Sequence, residues 1–230
     1  MIAVPRQLVL DLAHREALGA EDFLVSRSNS EAVELIDRWP DWPHPASIVI
    51  GTQGSGKTHL AHVWQLRSSA GLVAASAITD AAVAALADGD ALVVEDLDRG
   101  IADEQALFHL LNRAGESKLA VLLTSRVAPG GLEFVIPDLR SRMRALPFVE
   151  VQPPDEALLK SVLVKLFADR QLTVEPPVIE YLSLRMERSM KAANRLVDTI
   201  DRLALAMHRK VTKPLAAEAL ASAGPRDEHE

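Results

Sequence analysis

The stretch that most constrains this chain is ASIVIGTQGSGKT, Ala46 to Thr58. It opens as a short apolar run and continues as GTQGSGKT, which fits the pattern GxxxxGK[ST]. A strand that breaks into a glycine-rich turn and runs directly into a helical segment makes backbone N–H groups converge at a helix N-terminus, where phosphate oxygens are held. In that pattern Gly51, Gly54, Ser55 and Gly56 form the turn, Lys57 reaches β- and γ-phosphates, and Thr58 offers its hydroxyl to Mg2+. The competing reading is a glycine-rich turn that binds nothing, but such a turn requires neither the lysine nor the hydroxyl in this order.

A turn of this kind belongs to an α/β domain, and the surrounding sequence agrees. ALVV (91–94), LAVLLT (119–124) and FVEV (148–151) are short apolar runs, and GLVAAS (71–76) is a weaker one. Continuous apolar runs of this length suit parallel strands covered on both faces. Helical patterns lie between them at about 59–69, 79–87 and 103–115, so strands alternate with helices as in a mostly parallel, five-stranded sheet. Before the first strand, Asn29 or Ser30 is placed to cap a helix with Val33, Leu35 and Ile36 inward, ended by Pro40.

A phosphate cradle needs an acidic neighbour, and ALVVEDLD (91–98) supplies one by running an apolar strand into Glu95 and Asp96. Strand ends of a parallel sheet share one edge, so these carboxylates fall beside the turn. Spacing leaves open which of them holds Mg2+ and which polarises water; Thr58 and Glu95 are the candidate metal ligands. LAVLLTSR (119–126) ends in Thr124, Ser125 and Arg126, of which Thr124 is the candidate for the γ-phosphate or the attacking water.

After PPDE (153–156) strand-like runs stop, and three amphipathic segments follow: EALLKSVLVKLFADRQ, PPVIEYLSLRME and SMKAANRLVDTIDRLALAMHRK. The expected organisation is a leader over 1–20, an αβα domain over 21–152, a helical lid over 153–223 and a disordered tail over 224–230. Ala and Leu dominate an apolar fraction of 48%, with 4% aromatic residues, which favours helix-rich packing. There is no cysteine, so disulfides, thiolate metal sites and cysteine nucleophiles are excluded. The histidines show no metal-ligand spacing, and no apolar run is long enough for a membrane span or a signal peptide, so the expected place is the cytoplasm. The net charge of −7 argues against strong autonomous DNA binding.

Near the start lies QLVLDL, Gln7 to Leu12. Such a peptide either packs on its own domain as an edge strand or helix, or buries leucines in a partner's preformed pocket while the glutamine amide bonds at the rim.

These motifs together resemble the AAA+ class, and within it the bacterial replication initiator DnaA and its short relatives of the Hda group. GSGKTHLA (54–61) is similar to the phosphate loop of that family, which adds His59 to the nucleotide contacts. DFLVSRSNSEAV (22–33) resembles the stretch that lies against the base, with Val25 as the contact. PDLRSRMRALPFVEVQPPDE (137–156) resembles the arginine-finger box, in which Arg142 aligns with the finger acting in trans and Arg140 and Arg144 are its neighbours. ERSMKAANRLVDTIDRLALAMHRKVTKP (187–214) resembles the last lid helices, with Lys191 at the second sensor.

The resemblance implies bound ADP or ATP with Mg2+. It implies DnaA as partner, docking on the DNA polymerase sliding clamp through Gln7, Leu8, Leu10 and Leu12, and a second copy of the chain as a further candidate partner. It implies DNA contact only indirectly, no membrane, and no DNA-reading helix-turn-helix domain. The implied role is an adaptor that stimulates ATP hydrolysis by DnaA and so restrains initiation of replication; the alternatives are an autonomous ATPase such as a DnaC-type helicase loader, or a scaffold that contacts DnaA without stimulating it. Three positions depart from the family pattern: Arg126 stands where an aspartate is usual, Lys191 where an arginine is usual with Arg195 one turn later, and Glu95 where an aspartate is common. Lysine cannot form the planar fork of arginine. The departures predict weak ATP turnover by this chain itself, while the intact phosphate loop predicts nucleotide binding.

Overall fold

The computed structural model describes residues 24–207 and 209–222. Gln7, Leu8, Leu10 and Leu12, and the tail, lie outside them. Two compact units divide the chain between Pro153 and Pro154.

The αβα unit is built on a sheet of five parallel strands: β1 (Ala46–Gly51), β2 (Gly71–Ala74), β3 (Ala91–Glu95), β4 (Ala120–Ser125) and β5 (Phe148–Val151). Their order is β2-β3-β4-β1-β5. The helices are α1 (Ser30–Arg38), α2 (Lys57–Ser68), α3 (Asp80–Ala84), α4 (Glu104–Glu116) and α5 (Pro137–Ala145). Period-2 alternation sends successive strand residues to opposite faces. Ile48, Ile50, Leu92, Val94, Val121 and Leu123 pack with α4 and α5 residues such as Leu107, Leu110, Leu139 and Met143. Val49, Val93 and Leu122 pack on the other face with Ala32 and Ile36 of α1 and Leu60, Ala61 and Trp64 of α2. Both faces of the central strands are therefore covered, and their sequences read as unbroken apolar runs.

The edges differ from that expectation. β2 is exposed or half-buried throughout, and the strand gives way at Ala75–Ala77 to a 3-10 turn. Phe148 at the start of β5 is 52% exposed. An edge strand has a neighbour on one side only, so an apolar sequence does not ensure burial there. Asn29 does occupy the N-cap of α1, but its side chain makes no capping bond. Its carboxamide instead accepts from Ser26 N at 2.8 Å and donates to Leu24 O at 2.9 Å, closing the preceding turn.

The helical unit contains α6 (Glu156–Asp169), α7 (Pro176–Ser183), α8 (Met190–Met207) and α9 (Lys213–Ser222). Asp155 caps α6 by accepting from Leu158 N at 2.7 Å, and Pro176 starts α7, where a missing N–H costs nothing. Ala192, Ala193, Leu196, Val197, Ile200 and Ala204 form the inward stripe of α8 and pack with Leu159, Leu163 and Phe167 of α6 and Leu215, Ala216 and Ala219 of α9. The periodicity of the segment before the tail does not single out α9; its small alanine-rich stripe takes shape against α7 and α8. No helix among the described residues is long and apolar enough to cross a membrane.

Candidate functional site

Because all strands are parallel, β1, β3 and β4 end on the same edge of the sheet. The register pairs Val49 with Thr124, so the turn after β1, the acids after β3 and the polar end of β4 lie side by side. Sequence reading expected the acids beside the turn, and the sheet puts the polar end of β4 at the same edge.

The turn itself is constrained at its glycines. A Cβ on Gly51 would stand 2.5 Å from Val151 O and 2.8 Å from Ser55 Oγ, so any side chain would force the backbone apart. Gly56 is the N-cap of α2 with φ 110°, a conformation side chains rarely adopt. The N-cap makes no side-chain bond to α2, and the positive end of this helix favours an anion.

Lys57 is buried, and its Nζ donates to Gly51 O at 2.8 Å and Thr52 O at 3.0 Å. Burial lowers its pKa from the ordinary lysine value; Asp96, Asp98 and Glu95 oppose this, and Arg126 reinforces it. The cation thus lies folded onto its own loop, in the field of three carboxylates.

The acidic turn is held from β4. Thr124, buried at 1% exposure, accepts from Asp96 N through Oγ1 at 3.0 Å. Asp96 adopts a left-handed conformation (φ 58°, ψ 50°), tolerated by aspartate but unfavourable without support. The Asp98 carboxylate, with a side chain only 6% exposed, accepts from Arg126 N at 2.7 Å and Arg126 Nε at 2.6 Å. Burial alone would raise the Asp98 pKa, but the Arg126 backbone N–H, its side-chain N–H and its charge outweigh burial and hold the carboxyl below the usual aspartate value. Arg126, the departure from the family pattern, is therefore the partner of Asp98. Sequence reading missed Asp98; the signal was the reciprocal oddity of an extra acid after β3 and an arginine after β4.

Two buried atoms at this edge have no hydrogen-bond partner, Ser55 Oγ and Glu95 Oε1. A buried polar atom left unmatched costs free energy, and both fit a ligand that brings phosphate oxygens and metal-bound water. No group of three or more His, Asp or Glu side chains able to hold a metal occurs among the described residues. A hard cation here would therefore share its oxygen ligands between the protein and a phosphate. Thr58 is exposed and His59 half-buried at the start of α2, and Val25 is 61% exposed.

Arg140, Arg142 and Arg144 are all exposed on α5. The Arg142 guanidinium lies over the Phe108 ring of α4, 5.3 Å from its centroid. In the helical unit, Lys191 is exposed in the first turn of α8, and Arg195 lies 3.8 Å from Glu187.

Residues 156–220 match the family model described as "Hda, lid domain". The chain is 25% identical over 196 residues to the chromosomal replication initiator protein DnaA of Cutibacterium acnes, covering 74% of this chain and 39% of that protein. Against DnaA of Thermomicrobium roseum the identity is 25% over 228 residues, covering 87% of this chain and 48% of the relative. The chain thus spans less than half the length of these curated relatives. Among solved structures, domain III of Thermotoga maritima DnaA has a TM-score of 0.77 at 18% identity, with 90% of this chain and 98% of that one covered. A DnaA bound to AMPPCP and single-stranded DNA has a TM-score of 0.60 at 18% identity, with 88% and 79% covered.

Proposed function

We propose that this chain, an AAA+ protein related to DnaA and Hda, binds an adenine nucleotide and acts as an adaptor that stimulates ATP hydrolysis by DnaA, restraining initiation of chromosomal replication. The observation that carries this reading is the match of residues 156–220 to the Hda lid in a chain whose phosphate cradle is intact. Lys57 and the N–H groups at the start of α2 would hold the phosphates, Thr58 and Glu95 the Mg2+, and Val25 and Lys191 would bear on the nucleotide. A bound Mg-nucleotide supplies the negative phosphates and the divalent charge that such an edge is built to hold.

The chain's own turnover is not needed for this role. Arg142, exposed on α5, would enter the partner's site, where transition-state charge spreads over the γ-phosphoryl oxygens and an arginine supplied in trans raises the rate by about 10³–10⁵. Gln7, Leu8, Leu10 and Leu12 would tether the chain to the sliding clamp, with DNA contacted through that ring. A pocket-bound peptide of this size gives modest affinity, which several pockets on one ring strengthen by avidity.

The test is ATP turnover by DnaA in the presence of clamp loaded on DNA. The intact chain should accelerate it, Arg142→Ala should abolish the acceleration, and joint Gln7→Ala and Leu10→Ala should raise the concentration of chain required. Stimulation that survives Arg142→Ala overturns the finger, and an intact chain that binds DnaA without accelerating its turnover is a scaffold. Turnover by this chain alone above about 1 s⁻¹, inside the ordinary enzyme range, overturns the adaptor in favour of an autonomous ATPase of the helicase-loader kind.

A further inference from the structure

Outside the apolar core they share, helix α4 reaches the α5 segment through Glu104 and Phe108. At its first residue, the Glu104 carboxylate accepts from Val135 N at 3.0 Å through Oε1 and from Ile136 N at 2.9 Å through Oε2. One turn later, the half-buried Phe108 presents its ring to the Arg142 guanidinium. Residues spaced i, i+4 share one face of a helix, so a single face of α4 fixes both the entry to α5 and the arginine near its end.

The entry is fixed firmly. Pro137 opens α5 at N1, and the two N–H groups just before it are both taken by one carboxylate, an arrangement stronger than neutral hydrogen bonds. Val135 stays 88% exposed although its N–H is bound, so the contact orders the backbone without burying the side chain. Below the backbone, Leu139 and Met143 are buried in the core, which sets the rotation of α5 and leaves Arg140, Arg142 and Arg144 outward. Neither Arg140 nor Arg144 has an ion-pair or ring partner among the described residues. Of these arginines, Arg142 is the one whose head group is held.

We infer that Glu104 and Phe108 are positioning residues for Arg142: Glu104 sets where α5 begins, and Phe108 restrains the guanidinium before it meets a partner. This rests on the reading of Arg142 as a finger acting in trans. A long arginine side chain loses rotamer freedom when it enters a site, and a ring that already restrains it removes part of that cost. The chemistry recognised is an anion of high charge density, the terminal phosphate of a nucleotide on another molecule. Phe108 and Glu104 do not touch that nucleotide.

The experiment compares Phe108→Leu, Phe108→Tyr, Glu104→Ala and Arg142→Ala in the full chain, titrated into ATP-loaded DnaA with clamp on DNA. Phe108→Leu should lower the maximal stimulated rate about two- to fivefold, the range of an exposed cation–π contact, with the half-saturating concentration unchanged. Phe108→Tyr should restore the rate. Glu104→Ala should lower it about tenfold, in keeping with loss of charge-assisted bonds. A second readout needs no partner: the Arg142 Nε–H resonance should carry a ring-current shift that Phe108→Leu removes and Phe108→Tyr keeps. An unchanged maximal rate with Phe108→Leu and Glu104→Ala, while Arg142→Ala abolishes stimulation, overturns the positioning role and leaves the finger intact. A changed half-saturation with an unchanged maximum overturns it equally, because α4 would then serve docking. Full stimulation by Arg142→Ala removes the finger itself, and this inference with it.

Discussion

In the helical unit the interior is closed by side chains such as Leu159, Leu163, Phe167, Leu196 and Ile200, and the buried polar residues among those described are Ser183 and Ser189. Both serve their own backbone: Ser183 Oγ donates to Glu180 O, and Ser189 Oγ accepts from Ala192 N. In the αβα unit, Ser55, Lys57, Thr124 and Ser125 are all buried at one edge of the sheet. There Lys57 and Ser125 also bond locally, but further bonds join the turn after β3 to the end of β4, and Ser55 Oγ and Glu95 Oε1 stay unmatched. Polar groups that satisfy a local helix are structural economy; polar groups buried together at strand ends, some unpaired, mark a place shaped for something else.

The largest effect falls on the apolar side. Phe167→Ala should destabilise the helical unit by about 3–5 kcal/mol, the cost of emptying a fully buried aromatic site, read as a lower midpoint in urea. On the polar side, Lys57→Ala should weaken nucleotide binding by about a hundredfold, in the range of a charge-assisted contact, measured by titrating a fluorescent ADP. Its thermal stability should stay close to that of the parent, because the lost group is a desolvated cation.

The Asp98–Arg126 pair sharpens the contrast through pH. The Asp98 carboxyl is held below its ordinary value, so the unfolded chain binds its proton more readily than the folded one. Its stabilisation is present above the unfolded pKa, about 4, and fades as pH falls through the lower folded value. Asp98→Asn should therefore be less stable than the parent at neutral pH, and the gap should close below about pH 4, as followed by chemical denaturation across that range. The smallest effect belongs to the surface. Glu34→Ala breaks the exposed pair with Arg38 and should cost no more than about 0.5 kcal/mol; a larger loss would mean that α1 depends on its solvent face.

What the sequence determined by itself was whatever depends on neighbours along the chain. Strand-length apolar runs, the glycine turn with Lys57 and Thr58, the acids after β3 and the change to helical periodicity after Pro153 are all local patterns, and each element forms where its pattern lies. The αβα organisation was legible because a parallel sheet demands crossover helices between strands. The tertiary structure alone decided which distant residues meet. Asp98 and Arg126 are paired because β3 and β4 are neighbours in register, and Phe108 reaches Arg142 because α4 and α5 lie on one face of the sheet. Helix α9 and the exposed edges β2 and β5 were equally beyond local pattern. Burial and ion pairing are properties of what lies across the fold, and a one-dimensional pattern fixes the period of a face but not its neighbour.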